Sequence, residues 1–128
     1  MPQAALITGA ADRIGAAIAA RLAAEGYAVV EDLADAIGAD GGLAGVLQGD
    51  LARREDRMGL IAKAAELFGP LTVLVNNASV FEPDSADTVY EDLWDLHMAV
   101  HAEAPVFLAR DFAAQLPAGE KGNIVNII

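Results

Sequence analysis

Three short runs of small and polar residues have the composition of a site that closes on a phosphate or a sugar. The first is Thr8-Gly9-Ala10-Ala11-Asp12-Arg13-Ile14-Gly15. A glycine between a strand and a helix lets the backbone turn tightly, and the helix start presents unpaired N–H groups and a favourable dipole to an anion. Gly9 suits the turn, Gly15 suits close packing of helix on strand, and Arg13 supplies a cation in the first turn. Any strand–helix junction can also use a glycine turn, and an exposed first-turn Arg is equally at home on an acidic surface.

The second run is Gly49-Asp50-Leu51, where the Asp50 carboxylate either accepts from a nucleobase amine or caps the helix that follows. The third is Asn76-Asn77-Ala78-Ser79, whose amides can tie strand ends together and whose small residues leave room for a ribose. Asn and Ser are also common turn residues. Glu31 lies about 20 residues beyond the glycine turn, where a carboxylate often meets a ribose 2′-hydroxyl; the alternative places it on a surface helix, and this is the reading preferred here. His101 precedes Pro105 by four residues, so its carbonyl loses the usual helical donor. A histidine inside a helix is more often structural than catalytic; direct acid–base work by the imidazole is the sharper reading, and His97 has no comparable argument.

Elements that alternate between strand and helix must position these runs. Ala4 to Thr8 is a buried apolar strand, and helical spacing begins at Ile14 and stops at Gly26. Tyr27 to Val30 and Leu43 to Leu47 read as the second and third strands, with a short helix from Glu31 to Ile37 between them. Arg54 to Phe68 reads as one amphipathic helix with Met58, Ile61, Ala65 and Phe68 on its apolar face, ended by Gly69-Pro70. Leu71 to Val75 is a fourth strand, 89–116 a long helix, and Asn123 to Ile128 a fifth strand. Strands apolar on both faces require an α/β fold, a doubly wound parallel sheet with helices on both faces. The crossover from Val30 to Leu43 is near the lower limit for a parallel connection. An interruption of the chain between Val30 and Glu31 is therefore expected.

Taken in order along the strands, the three runs resemble the short-chain dehydrogenase/reductase family. Its signature is Thr-Gly, three residues, Gly, one residue, Gly; Thr8-Gly9 and Gly15 match, and Arg13 replaces the middle glycine. That arginine, and Asn-Asn-Ala-Ser in place of Asn-Asn-Ala-Gly, resemble the pteridine reductase branch. The resemblance implies a Rossmann-type fold and one dinucleotide-binding domain over 1–128, the N-terminal part of the family's length. It implies NADP or NAD as cofactor, NADP being the first expectation. Gly9, Ala11, Asp12, Arg13, Ile14, Asp50, Leu51, Asn77, Ala78 and Ser79 are its implied cofactor contacts. The family's catalytic Asn falls on His101, whose main-chain carbonyl could still hold a water of the proton relay. The family's Ser or Asp and its Tyr-x-x-x-Lys fall beyond Ile128. The implied activity is hydride transfer between nicotinamide and a carbonyl or imine substrate, with a pteridine among the candidates. A non-catalytic dinucleotide-binding sensor or scaffold, or more remotely a flavodoxin-like phosphate-binding domain, would use the same features. In either case Gly9→Val is expected to abolish cofactor binding while sparing the fold.

Composition narrows the partners. A formal charge of −11, from 8 basic and 19 acidic residues, argues against nucleic acid and against an acidic membrane surface. Cysteine is absent, so thiolate catalysis and cysteine-ligated zinc are excluded, and no metal site is expected. No signal peptide or membrane span is read, so a cytoplasmic protein acting on a small molecule is expected. The long helix carries Val89, Leu93, Leu96, Val100, Ala104, Phe107, Leu108 and Phe112, with Trp94, Met98, Val106 and Ala109 elsewhere around it. That is more apolar surface than one sheet face covers, so a homodimer or homotetramer through this helix is expected.

Overall fold

A computed structural model describes residues 3–10, 13–33 and 44–128. Five strands form one parallel sheet in the order β3-β2-β1-β4-β5: β1 Ala4–Thr8, β2 Ala28–Leu33, β3 Ala44–Gln48, β4 Leu71–Asn76 and β5 Asn123–Asn126. The helices are α1 Arg13–Ala24, α2 Arg54–Arg57, α3 Leu60–Phe68, α4 Glu91–Met98 and α5 Ala104–Gln115, with a π turn at Ala99–Glu103 joining the last two.

Alternation along the strands explains why helices cover both faces. Leu6, Val30 and Leu74 point to one side, where they meet Leu60, Ile61 and Ala64 of α3 and Ala104, Leu108 and Phe112 of α5. Ala5, Ile7, Val29 and Val75 point to the other side, against Ala19, Ile18 and Leu22 of α1. β1 and β4 are buried along their whole length, as strands covered on two sides must be. Each fully buried Leu or Ile here contributes about 1.5–3 kcal/mol. Gln115 fixes α5 to the start of β4, accepting from the Leu71 N–H and donating to the Leu71 carbonyl, both at 2.8 Å.

Five expectations are corrected. The chain is not interrupted between Val30 and Glu31: β2 runs through both, with Leu6 opposite Val30, Ile7 opposite Glu31 and Thr8 opposite Asp32. Glu31 is therefore a strand residue and not part of a helix; the rest of that expected helix, from Ala34 to Ile37, lies outside the described residues. The helix expected over 54–68 is two, because Gly59 takes a left-handed φ of 77° while Met58 is extended. Met58 consequently faces solvent at 65% exposure and leaves the apolar face to Leu60, Ile61 and Ala64. The long helix begins at Glu91, leaving Val89 before it and exposed, and ends at Gln115. The last strand stops at Asn126.

The π turn has a local cause. Pro105 has no N–H to give the His101 carbonyl, so the hydrogen-bond ladder slips, and the Ala104 N–H reaches back five residues to the Ala99 carbonyl. Glu103 anchors this turn from outside: its Oε1 lies 2.7 Å from Arg54 Nε and 3.5 Å from the buried Arg57. The Arg57 and Arg110 guanidinium groups both lie over the Phe107 ring.

Candidate functional site

The carboxyl ends of β1, β2 and β4 are laced together by a few polar groups. Thr8 closes β1, and its Oγ1 accepts from the N–H groups of Asn77 and Ala78, both at 3.0 Å. The Asn77 amide donates to the Gly9 carbonyl at 2.9 Å, and the Gly9 N–H donates to the Asp32 carbonyl at 3.0 Å. On the other side, Asn76 Nδ2 donates to Asn126 Oδ1 at 2.8 Å, joining β4 to β5. The Asn-Asn pair therefore ties the central strand ends together, as the sequence reading expected.

Glycine is required at two of these places. Gly9 has φ of 66°, and a Cβ there would stand 2.7 Å from the Ala78 Cα. A Cβ on Gly15 would overlap the Gly9 carbonyl oxygen and the Asn77 amide nitrogen. Gly9→Val is therefore expected to disturb the fold as well as cofactor binding, since the side chain would displace backbone that holds two strands together. Arg13 is the one described non-glycine residue at positive φ, 54°. Left-handed backbone costs an ordinary residue roughly 1–2 kcal/mol. Strain of that kind concentrates at functional positions.

Two cavities flank the β1/β4 ends, where the strand order reverses direction. The larger, about 540 Å³, is lined by Thr8, Leu51, Asn76, Ala78, Ser79, Val100, His101, Pro105, Val106 and Asn126, among others. The smaller, about 150 Å³, is lined by Gly9, Asp32, Gly49, Asp50, Leu51, Ala78, Ser79, Val80 and Val100. Open α/β sheets bind ligands at this place. Of the sequence-predicted residues, Gly9, Asp50, Leu51, Ala78 and Ser79 line one or both cavities, and Asn77 braces their floor through Gly9. Arg13 and Ile14 are exposed in the first turn of α1 and line neither cavity. Ala11 and Asp12 lie outside the described residues.

Asp50 divides its bonding. Its Oδ1 accepts from the Ala52 N–H at 3.0 Å, its carbonyl accepts from Arg53, and its own N–H donates to Asp56 Oδ2. It thus shapes the turn before α2 and does not cap the helix, whose cap position is Arg53. His101 Nε2 lies 3.1 Å from the Ser79 hydroxyl and 3.2 Å from the Val80 N–H. His97 instead turns Nδ1 to the Leu93 carbonyl at 2.9 Å.

Asp32 is the residue the sequence reading missed. It is 2% exposed, and its Oδ1 has no hydrogen-bond partner among the described residues. Burial, reinforced by the charges of Asp50 and Asp56, pushes its pKa up from 3.8 to about 7. A buried carboxylate facing a cavity without a partner marks a place for a ligand donor. None of the described residues lining the two cavities is Lys or Arg.

Residues 3–128 match the family model described as short chain dehydrogenase. An uncharacterized oxidoreductase of Methylorubrum extorquens is 39% identical over 133 residues, covering 96% of this chain and 53% of that protein. The structure of FolM alternative dihydrofolate reductase 1 from Brucella canis, complexed with NADP, superposes with a TM-score of 0.88 at 37% identity, covering 98% of this chain and 55% of that one. A short chain dehydrogenase from Burkholderia cenocepacia in complex with NADP gives 0.85 at 32%, covering 97% and 54%. The chain thus spans about half the length of the proteins it matches.

Proposed function

The chain belongs to the short-chain dehydrogenase/reductase family, and from that premise we propose that its strand ends hold NADP or NAD in an oxidoreductase acting on a carbonyl or imine substrate. The observation that carries this reading is the laced β1/β4 junction, with a glycine turn that no side chain can fill beside a buried carboxyl whose Oδ1 has no hydrogen-bond partner among the described residues. Hydride exchange with the substrate carbon is the chemistry a bound nicotinamide supplies. The chain's own residues bind and orient. Gly9, Arg13 and Ile14 face the pyrophosphate; Asp50 and Leu51 receive the adenine; Asn77, Ala78 and Ser79 form the wall against the second ribose. Asp32, beside the glycine turn in the register of β1 and β2, accepts from the adenosine ribose.

The choice of dinucleotide turns on charge. The relatives in complex with NADP argue for NADP. Against a 2′-phosphate stand Asp32 and Asp50 in one small cavity, and a sequence with no Lys or Arg between Arg21 and Arg53. This favours NAD at neutral pH. The pteridine substrate rests on Arg13, Ser79 and the neighbour named as an alternative dihydrofolate reductase. Titration calorimetry of NADH and NADPH on the full polypeptide tests the cofactor reading, and failure of both to bind overturns it.

Arg13 provides a sharper test. Arg13→Gly removes the left-handed penalty and the guanidinium together. Stability to denaturant is expected to hold or to rise by up to about 1 kcal/mol. Dinucleotide affinity should fall about tenfold or more, the worth of one charge-assisted phosphate contact. Unchanged affinity would leave Arg13 a surface residue.

Self-association through the long helix is proposed on a narrower face than composition suggested. Leu93, Val100, Ala104, Leu108 and Phe112 are buried within the chain, whereas Val106 is exposed at the larger cavity. Tyr90, Trp94 and Met98, spaced one turn apart, remain exposed. Light scattering on the full polypeptide should show a dimer or tetramer that Trp94→Glu with Met98→Glu disperses. A monomer at micromolar concentration would end the idea. Among the described residues no helix is long and apolar enough to cross a membrane. A cytoplasmic location remains part of this proposal.

A further inference from the structure

The backbone N–H of Val80 points at His101 Nε2 from 3.2 Å. An N–H only donates, so this contact requires Nε2 to present its lone pair and the ring proton to sit on Nδ1. The Ser79 hydroxyl, 3.1 Å from the same nitrogen, can donate to it or accept from it. Val80 can do only one of these. His97, whose ring centroid is 5.7 Å away, is bound differently: its Nδ1 donates to the Leu93 carbonyl, a bond that survives protonation.

We propose that His101 is a positioning residue. As a neutral imidazole it latches Ser79 and Val80 to the π turn of the long helix, and protonation at Nε2 releases Val80. Ser79 lines both cavities and Val80 the smaller one, so the latched pair runs from the wall they share into the smaller cavity. A proton on Nε2 sets donor against donor at Val80, while Ser79 can turn and keep its contact. The wall therefore loosens on one side only.

Other titratable groups stand around the ring. On its own helix stand His97 and Glu103, the latter held by Arg54 and Arg57. Across the larger cavity, Thr8, Leu51, Asn76 and Asn126 carry no charge. Across the shared wall, Asp32 and Asp50 line the smaller cavity.

The consequence for binding rests on the cofactor reading; the latch itself does not. The test begins with ligand-free full polypeptide and ¹⁵N–¹H spectroscopy of the histidine rings and the Val80 amide. At neutral pH His101 should show the Nδ1–H tautomer, and the Val80 amide should titrate with the midpoint of the His101 ring. In His101→Phe the Val80 amide should lose that titration. In His101→Gln, whose side-chain oxygen accepts at any pH, it should stay bonded throughout. An Nε2–H tautomer, or a Val80 amide that ignores His101, overturns the proposal. NADH affinity, measured in an Asp32→Asn background to remove that carboxyl's titration, should weaken roughly fivefold on acidification, the worth of one hydrogen bond. His101→Phe should show the weakened value at every pH. If neither dinucleotide binds while Val80 still follows His101, the cofactor reading fails and the latch stands. If NADH binds with no dependence on His101, the latch does not govern the site and the proposal is overturned in that part.

Discussion

Asp32→Asn is expected to stabilise the protein by on the order of 2–4 kcal/mol at pH 8 and by almost nothing at pH 4. The carboxyl's folded pKa is raised from 3.8 to about 7, by burial first and by Asp50 and Asp56 next. A raised acid pKa means that the folded state prefers the proton. Below pH 3.8 folded and unfolded chains both carry it, and the group costs nothing. As pH rises toward 7 the unfolded chain gives up its proton while the folded chain keeps it, and stability falls by about 1.4 kcal/mol per unit. Above 7 the loss is complete. Asn keeps the shape without the titration, but its amide still pays some desolvation, which is why the lower figure is included. Denaturant unfolding of both proteins at several pH values checks this. Parallel stability curves would mean that Asp32 is charged and satisfied in the fold. The same substitution should improve NADPH affinity relative to NADH at pH 8, where the native carboxylate repels a 2′-phosphate.

That Asp32 escaped the sequence reading while Gly9, Asp50 and Asn77 did not has a physical explanation. β1 and β4 are continuous apolar runs closed by small residues, so both the strands and the polar groups at their ends are marked by composition alone. β2 is different. Its apolar run ends at Val30, and the strand continues through Glu31 and Asp32 only because β1 and β3 offer it partners on either side. Pairing of that kind is a tertiary effect that overrides local preference. A helix beginning at Glu31 gives Asp32 no reason to face a cavity, whereas the strand brings it to the lining of the smaller one. The split between α2 and α3 was hidden for a similar reason, since helical spacing of apolar residues says nothing about the left-handed angle at Gly59. The lost donor to the His101 carbonyl before Pro105 was legible because a missing N–H is written in the sequence. The Arg54–Glu103 contact was not, because it joins residues 49 apart.

Gly15→Ala should be among the most damaging single methyl additions in the chain. The added Cβ would fall on the Gly9 carbonyl oxygen and the Asn77 amide nitrogen, atoms already joined at 2.9 Å. Neither is the loose end of a flexible side chain. The Gly9 carbonyl belongs to the turn out of β1, and the Asn77 amide can move only by giving up its bond. Overpacking costs about 1–3 kcal/mol or more, and the lost Asn77 bond adds about 1, so a destabilisation of about 3 kcal/mol is expected. Gly26→Ala is the control. Gly26 also has positive φ, 96°, but a Cβ there meets nothing within 4 Å. Backbone strain is then the only penalty, roughly 1–2 kcal/mol. Chemical unfolding of the two variants separates close approach from conformation. Equal losses would show that the helix does not press on the strand end as described. If Gly15→Ala loses clearly more, α1 is held against the β1/β4 junction at a distance only glycine permits. The first turn of α1, with Arg13 in it, is then fixed beside the cavities by packing before any ligand arrives.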